Sequence, residues 1–170
     1  QFANSSVAAV FANRPLELLG RRHGDYATVH PNNHVNLSQS TNDVYPTAIK
    51  LALHSSIDGL REAMRELAES FLAKGADFAP HLKMGRTQLQ DAVPMTLGQE
   101  FAAFGHTILE DVDRLGEVQA LIREINMGAT AIGTGINAPP GYAEHVRRQL
   151  SRITGLELVI KGSQWGAGVP

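Results

Sequence analysis

Three consecutive polar residues, Ser40, Thr41 and Asn42, carry side chains that could bind an anionic ligand. They lie within residues 38–47, Ser-Gln-Ser-Thr-Asn-Asp-Val-Tyr-Pro-Thr, directly before a long apolar pattern of helical period. Hydroxyl and amide donors therefore stand beside the free backbone N–H groups of a predicted helix N-terminus, where the helix dipole favours negative charge. This combination indicates a site for a carboxylate. The alternative is that the segment only caps the helix.

A second polar segment contains Thr87 and Gln88 and has the same arrangement. It occupies residues 83–91, Lys-Met-Gly-Arg-Thr-Gln-Leu-Gln-Asp, and it also runs into a helical pattern. An enzyme that removes a proton from a carbon beside a carboxylate needs several directed donors, because it must stabilise a dianionic intermediate. The two segments could supply such donors without a metal or a cofactor. Two ordinary capped helices would leave the same pattern, so spacing alone leaves both interpretations open.

Two other patterns could suggest ligand binding, and both have a structural explanation. His30 and His34 are four residues apart, but Pro31 argues against a helix there, so the pair is not expected to hold a metal ion. The glycine-rich stretch of residues 128–137 lacks the Lys-Ser or Lys-Thr of a phosphate-binding loop and follows no predicted strand. We interpret it as a turn between helices.

Composition excludes several classes of protein. The chain has 170 residues, of which 43% are hydrophobic and 19% charged, and a formal net charge of -2. These values are typical of a globular domain. They do not favour a nucleic-acid-binding protein, and no apolar run approaches the roughly 18 residues of a membrane span. Cysteine is absent, which fits a cytoplasmic location.

Long helices are predicted to carry the two polar segments. Residues 2–20 indicate a helix that ends at Gly20. Residues 44–74 indicate a second helix, with Asp43 as the N-cap, Pro46 in the first turn and a stop at residues 74–75. Its apolar stripe is Ile49, Leu53, Ile57, Leu60, Met64, Leu67 and Phe71. The near-heptad spacing of this stripe predicts packing in a helical bundle.

The second half of the chain is predicted to contain two more helices. Residues 93–127 indicate a helix capped by Asp91, with Pro94 in its first turn and a second apolar stripe from Leu97 to Ile125. A shorter helix opens at residues 139–140, continues to about Ile153 and ends at Gly155. The tail of residues 161–170 has no periodicity. Two long apolar stripes need partners, so we expect the chain to form homo-oligomers.

The polar segments resemble the aspartase/fumarase superfamily, and within it most closely the aspartate ammonia-lyases. Residues 38–47 are similar to the substrate-binding segment of the superfamily, and residues 85–100 are similar to an aspartase pattern. Residues 29–36, Val-His-Pro-Asn-Asn-His-Val-Asn, add a third matching segment, and the resemblance covers about residues 10–159. It implies conversion of L-aspartate to fumarate and ammonia, with no cofactor.

The resemblance also implies roles for the residues of both segments. Ser40, Thr41, Asn42 and Thr87 would contact the carboxylate and amine groups of a dicarboxylate or amino-acid substrate, and Gln88 would stand near them. In fumarases the position of Gln88 is normally histidine, followed by threonine. Gln88 followed by leucine therefore leans towards an aspartase. A class II fumarate hydratase remains the alternative.

A secondary dicarboxylate site of fumarases is matched only in part. His30, Asn32 and Asn33 correspond to its His-Pro-Asn-Asp segment, but Asn33 replaces the usual aspartate. The substitution removes a carboxylate from the segment. This departure puts the secondary site in doubt.

The catalytic base of the superfamily is not expected in this chain. Its serine belongs to a mobile loop, Gly-Ser-Ser-x-x-Pro-x-Lys-x-Asn, and Ser163 follows a glycine without the rest of that motif. The segment before residues 12–14 and the tail from about residue 160 also depart from the family. Complete members are homotetramers whose active sites draw on three subunits. We therefore expect a chain that is inactive alone, or else a non-catalytic helical fragment or oligomerisation module.

The resemblance implies a mainly α fold with two parts. Residues 1–40 would be the end of the N-terminal lyase domain. Residues 41–170 would be the first part of the central helical-bundle domain, with its long helices. Very little strand is expected.

Overall fold

The structure, a computed structural model, describes residues 2–160. Its helices are α1 (Phe2–Leu18), α2 (Thr41–Asp77), α3 (Leu97–Leu121) and α4 (Tyr142–Thr154), and a π-helical turn spans Pro31–Val35. Its strands are β1 (Leu82–Thr87), β2 (Gln90–Thr96), β3 (Glu124–Ile125) and β4 (Val159–Ile160). The prediction of a mainly α fold with long helices is confirmed. The prediction for residues 161–170, including Ser163, lies outside the described residues.

The chain divides into two compact units. One unit contains the residues up to Lys50 together with those from Arg123 onward, and the other is Leu51–Ile122. In the first unit, one face of α1 buries Ala8, Ala12 and Leu16, and Ile125 and Leu158 are also fully or almost fully buried. The positions on α1 are four residues apart, as expected for one face of a helix.

The end of α1 was predicted correctly. Gly20 has a φ of 66°, and its N–H donates to the Glu17 carbonyl at 2.9 Å, while the Arg21 N–H donates to the Leu16 carbonyl at 2.8 Å. This pair of bonds is the Schellman motif, which favours glycine because the left-handed conformation costs it nothing.

The start of α2 differs from the prediction. Asp43 is not the N-cap, because Ser40 takes that position: the Ser40 hydroxyl accepts from the Asn42 N–H at 3.1 Å. The Asp43 carboxylate reaches back and accepts from the Ser40 N–H at 2.9 Å, which is one half of a capping box. Pro46 consequently lies in the second turn rather than the first. Its missing N–H frees the Asn42 carbonyl, which accepts from the Asn126 side chain at 3.5 Å instead.

The segment after α2 is a β-hairpin rather than the start of a helix. β1 and β2 are antiparallel, with Arg86 opposite Asp91 and Met84 opposite Pro94. Asp91 is therefore not a helix cap: its carboxylate pairs with the Arg86 guanidinium across the hairpin at 3.0 Å. Pro94 is tolerated because it lies in a two-stranded sheet beside an irregularity in the register. This hairpin was not predicted, because its turn lacks the Asn-Gly pair that usually marks a two-residue turn.

The helix predicted for residues 93–127 is shorter at both ends. Thr96 is the N-cap of α3, and it forms a capping box with Gln99: the Thr96 hydroxyl accepts from the Gln99 N–H at 3.1 Å, and the Thr96 N–H donates to the Gln99 side chain at 2.9 Å. At its other end the helix stops at Leu121, because Glu124 and Ile125 leave it to pair with Val159 and Ile160.

Glycines allow close packing between α2 and α3 in the second unit. A Cβ added at Gly98 would collide with the Gly75 carbonyl oxygen and with the Ala79 backbone, and one at Gly105 would lie 2.9 Å from Leu72. Four phenylalanines fill the space nearby in edge-on and tilted contacts, namely Phe71, Phe78, Phe101 and Phe104. The predicted stripe on α2 is only partly covered: Ile57 is buried, but Leu53, Leu60 and Leu67 are each about half exposed.

The last helix begins two residues later than predicted. Its N-cap is Gly141 and its C-cap is Gly155, and both have positive φ angles. The glycine-rich loop, residues 128–137, connects β3 to α4 in the first unit, so it follows a short strand and not a helix as predicted. Within the described residues, none of the helices has the length and apolar character needed to cross a membrane.

Candidate functional site

Ser40 and Thr41 lie at the positive end of α2, half-buried. Because the Ser40 oxygen accepts the Asn42 N–H, its hydroxyl proton remains available as a donor to a ligand. The α2 dipole adds a positive potential at this point, where the N-terminal N–H groups have no carbonyl partner within the helix. Ser40 therefore caps α2, and its hydroxyl can still donate a hydrogen bond to another group.

The glycine-rich loop orients the Asn42 side chain. Its Nδ2 donates to the Ala131 carbonyl at 2.6 Å, although the two residues are 89 positions apart in sequence. This bond uses one of the two amide N–H groups and leaves the oxygen Oδ1 as an acceptor that Asn42 can offer to a ligand. An oxygen acceptor suits an ammonium group better than a carboxylate.

A cavity of about 440 Å³ adjoins Asn42 within the first unit. The glycine-rich loop forms much of its wall, and Lys50, Glu124 and Asn126 supply polar groups. The Lys50 ammonium donates to the Glu124 carbonyl at 2.6 Å, which places a half-buried positive charge at the cavity. A small anionic or zwitterionic molecule matches such a lining. The sequence patterns did not single out Lys50, because it lies inside a helix without a recognisable motif.

A buried polar group lies beneath the predicted ligand-binding residues. Asp43 has no exposed surface, and its two carboxylate oxygens accept from the Ser40 N–H and from the Thr130 N–H at 2.9 and 3.0 Å. Burial raises the pKa of Tyr142, and the nearby Asp43 charge raises it further. The roles of Thr130 and Tyr142 were not predicted, because contacts across this many residues leave no local signal.

Thr87 and Gln88 occupy the exposed tip of the hairpin in the second unit. Thr87 ends β1 and pairs with Gln90, while Gln88 and Leu89 form the turn with φ angles of 49° and 62°. Positive φ at two residues with side chains is uncommon and marks a turn that other structure must hold. The hydroxyl of Thr87 and the amide of Gln88 are thereby presented to solvent as donors.

The third predicted segment forms a turn that caps itself. The ring nitrogen Nδ1 of His30 accepts from the Asn32 and Asn33 N–H groups at 3.1 and 3.2 Å, and Nδ1 of His34 accepts from the His30 N–H at 2.8 Å. The expectation that Pro31 excludes helical structure here is wrong, because Pro31 lies at the first turn, where its missing N–H costs little. The Asn32 and Asn33 N–H groups are therefore already bonded within the turn.

Both of these histidines use Nδ1 inside the turn. A metal ion could reach only their Nε2 atoms, and His34 and His30 would each need further ligands from elsewhere. Across residues 2–160, no group of three or more His, Asp or Glu side chains could hold a metal ion.

Comparisons with known proteins identify the chain's relatives. A family profile described as lyase matches residues 3–167. The aspartate ammonia-lyase of Pseudomonas aeruginosa is 54% identical over 156 residues, which are 91% of this chain and 33% of that protein. The chain thus spans about one third of the length of the curated relatives that it matches.

Two solved structures share the fold. The crystal structure of fumarate lyase:delta crystallin from Brucella melitensis bound to cobalt is 57% identical, with a TM-score of 0.82, and the match covers 94% of this chain and 35% of that chain. The recombinant class II fumarase from Schistosoma mansoni is 35% identical, with a TM-score of 0.75, over 89% of this chain and 32% of that chain.

Proposed function

The chain belongs to the lyase family of the aspartase/fumarase superfamily, and from this premise we propose that it carries part of an aspartate ammonia-lyase. The reaction is the removal of ammonia from L-aspartate to give fumarate. The observation that carries the proposal is the set of half-buried hydroxyl donors at the start of α2, in a chain that is 54% identical to an enzyme of that name.

We assign substrate contacts to five residues of this chain. Ser40 and Thr41 donate to a substrate carboxylate at the positive end of α2, and Asn42 accepts from the substrate ammonium. Thr87 and Gln88 donate from the hairpin tip. Proton abstraction builds negative charge on the carboxylate beside the reacting carbon, and fixed donors lower the barrier by stabilising that charge.

The proposal leaves the catalytic base outside these residues. The base serine belongs to the Gly-Ser-Ser loop of complete family members, so a site that works would combine this chain's donors with a base from elsewhere in the assembly. We also propose that the complete protein is a cytoplasmic homotetramer that binds no cofactor. Residues 1–40 would end its N-terminal domain, and residues 41–170 would open its central helical bundle.

A secondary dicarboxylate site at His30, Asn32 and Asn33 is a weaker part of the proposal. Asn33 carries no carboxylate, and the His30 ring already accepts the Asn32 and Asn33 N–H groups. A dicarboxylate could contact these side chains only from outside the turn. We therefore expect such a site to bind less tightly than the site at Ser40–Asn42.

The test uses mixed assemblies. The Pseudomonas aeruginosa relative is given alanine at the positions that align with Ser40 and Thr87, and it is co-expressed with this chain, which carries a tag for purification. We expect the co-purified complex to form fumarate and ammonia from L-aspartate. Ser40→Ala or Thr87→Ala in this chain should lower the rate by about 10²-fold or more, as for the loss of one stabilising donor.

Matched variants separate binding from folding. Ser55→Ala and Thr107→Ala remove exposed hydroxyls elsewhere on α2 and α3 and should leave the rate unchanged. Ser40→Asn retains a good N-cap residue but removes the hydroxyl. The variant should therefore fold normally and form fumarate more slowly. A co-purified complex without activity, or one that tolerates Ser40→Ala and Thr87→Ala, would contradict the proposal. Hydration of fumarate to malate without ammonia chemistry would identify the alternative, a class II fumarate hydratase.

A further inference from the structure

We infer that Asp43 is a positioning residue, which fixes the ligand-binding residues Ser40–Asn42 against the glycine-rich loop through the backbone of Thr130. The link between this coupling and substrate binding rests on the proposed function. The coupling itself is a property of the first unit and can be measured without any ligand.

Asp43 is placed to join two segments that are far apart in sequence. It is fully buried, and each of its carboxylate oxygens accepts one backbone N–H, from Ser40 at 2.9 Å and from Thr130 at 3.0 Å. A buried carboxylate is costly unless it is hydrogen-bonded, and a charged acceptor makes stronger bonds than a neutral one. One side chain thus holds the start of α2 and the loop at the same time.

The loop residue that Asp43 holds has an unfavourable backbone conformation. Thr130 has a φ of 61°, which a β-branched residue rarely adopts. The bond from its N–H to Asp43 counteracts this preference. Without that bond, Thr130 is expected to relax to negative φ and to move the loop on both sides of it.

A second hydrogen bond joins the same loop to Asn42, one of the proposed ligand-binding residues. Ala131 follows Thr130, and its carbonyl accepts from the Asn42 amide at 2.6 Å. Asn42 and Asp43 are adjacent in α2, so the two bonds close a small ring between the helix and the loop. A shift of Thr130 would displace the Ala131 carbonyl, and the Asn42 side chain would lose its orientation.

The test of this coupling is hydrogen exchange at single-residue resolution on the whole 170-residue chain. Two reporters are the N–H groups of Gly133 and Gly135, which donate to the Ala129 carbonyl inside the loop and do not contact Asp43. Asp43→Asn keeps the size of the side chain but leaves only one acceptor oxygen for two N–H donors. We expect it to speed exchange at both reporters by about 10-fold or more, through local opening of the loop.

The decisive variant is the rescue by glycine at position 130. Glycine takes positive φ without a steric cost, so Thr130→Gly should leave the reporters slow in the presence of Asp43. In Asp43→Asn/Thr130→Gly, exchange should return to within about 3-fold of the unsubstituted chain, by the same argument. Asp77→Asn, which removes an exposed carboxylate paired with Lys74, is the control and should change neither reporter.

Three results would overturn the inference. The first is an unchanged exchange rate at Gly133 and Gly135 in Asp43→Asn. The second is exchange that is equally fast in Asp43→Asn and in Asp43→Asn/Thr130→Gly. The third is faster exchange at the reporters in the control, Asp77→Asn. If Asp43→Asn unfolds the first unit, which fast exchange throughout α1 would reveal, Asp43→Glu replaces it, since the carboxylate is kept but displaced by one methylene. The results expected of Asp43→Asn, and those that would overturn the inference, are then the same for Asp43→Glu.

A kinetic measurement connects the coupling to the proposed function. In the mixed assemblies described above, Asp43→Asn should raise KM for L-aspartate by about 10-fold, and Thr130→Gly should restore it, because fixed orientation lowers the cost of binding. An unchanged KM together with a loosened loop would overturn the positioning role. A coupled loop in mixed assemblies that form no fumarate would overturn the proposed function and leave the coupling intact.

Discussion

At the scale of single residues, the side chains that we propose to bind substrate at the start of α2 also hold the local structure. Ser40 caps the helix and can still donate outward, and the Asn42 amide is held by Ala131 so that its oxygen is free. The polar types and the helix start that make Ser40, Thr41 and Asn42 candidates were evident from the sequence. The role of Asp43 was not, because its partner Thr130 is 87 positions away.

Tyr142 gives a prediction on pH at this scale. Burial, and then the Asp43 charge, raise its pKa above the ordinary value near 10. Between the unfolded and the folded pKa, the unfolded chain has lost the phenolic proton and the folded chain has kept it. The contribution of Tyr142 to the free energy of unfolding is therefore fully present below about pH 10, and it decreases as the pH rises towards the pKa of Tyr142 in the folded chain.

Urea denaturation at about pH 9 and about pH 11 measures the effect. Tyr142→Phe should reduce the loss of unfolding free energy over this interval, because phenylalanine cannot ionise. Tyr45→Phe is the matched control: Tyr45 is 66% exposed and should leave the loss unchanged. An equal effect of the two substitutions would contradict the assignment to Tyr142.

At the scale of elements, the close approach of α2 and α3 depends on glycine. Gly98→Ala would force a methyl group against the Gly75 carbonyl and to 2.7 Å from the Ala79 backbone. We expect it to lower the unfolding free energy by about 1–3 kcal/mol, the usual cost of overpacking. Urea denaturation at a fixed protein concentration measures it.

Gly59 on α2 is the control for this prediction. A Cβ there meets nothing within 4 Å, so Gly59→Ala should stabilise the chain by about 0.5–1 kcal/mol through helix propensity alone. Equal effects of Gly59→Ala and Gly98→Ala would show that helix propensity, rather than contact between α2 and α3, decides both.

The elements also show what local patterns can and cannot predict. The apolar stripes and Gly20 predicted the helices, because periodicity and a glycine C-cap are local signals. The start of α3 was missed although Thr96 and Gln99 carry a capping-box pattern, since Asp91 and Pro94 offered a competing start. The hairpin was missed because its turn uses Gln88 and Leu89 at positive φ, which only surrounding structure can impose.

At the scale of the whole molecule, α2 retains an apolar surface without a cover. Leu53, Leu60 and Leu67 are spaced seven residues apart and are 49–51% exposed. Exposed apolar surface in such a row marks an interface or a cause of aggregation. We expect the isolated chain to self-associate, and we expect Leu53→Gln, Leu60→Gln and Leu67→Gln together to shift it towards the monomer.

Analytical ultracentrifugation at several concentrations measures this association. Glu62→Gln, Glu66→Gln and Glu69→Gln together make an equal number of substitutions at exposed polar positions of α2, and they should not reduce it. A stable monomer of the unsubstituted chain at high concentration would contradict the expectation.

We propose that this chain supplies the substrate contacts of an aspartate ammonia-lyase but not its base. The most direct test is the rate of fumarate formation, followed by ultraviolet absorbance, from L-aspartate by a chimera in which this chain replaces the aligned third of the Pseudomonas aeruginosa enzyme. We predict that the chimera forms fumarate and ammonia, that Thr87→Ala suppresses this activity, and that the isolated chain has none. A folded chimera that forms no fumarate, or turnover of L-aspartate by the isolated chain, would contradict the claim.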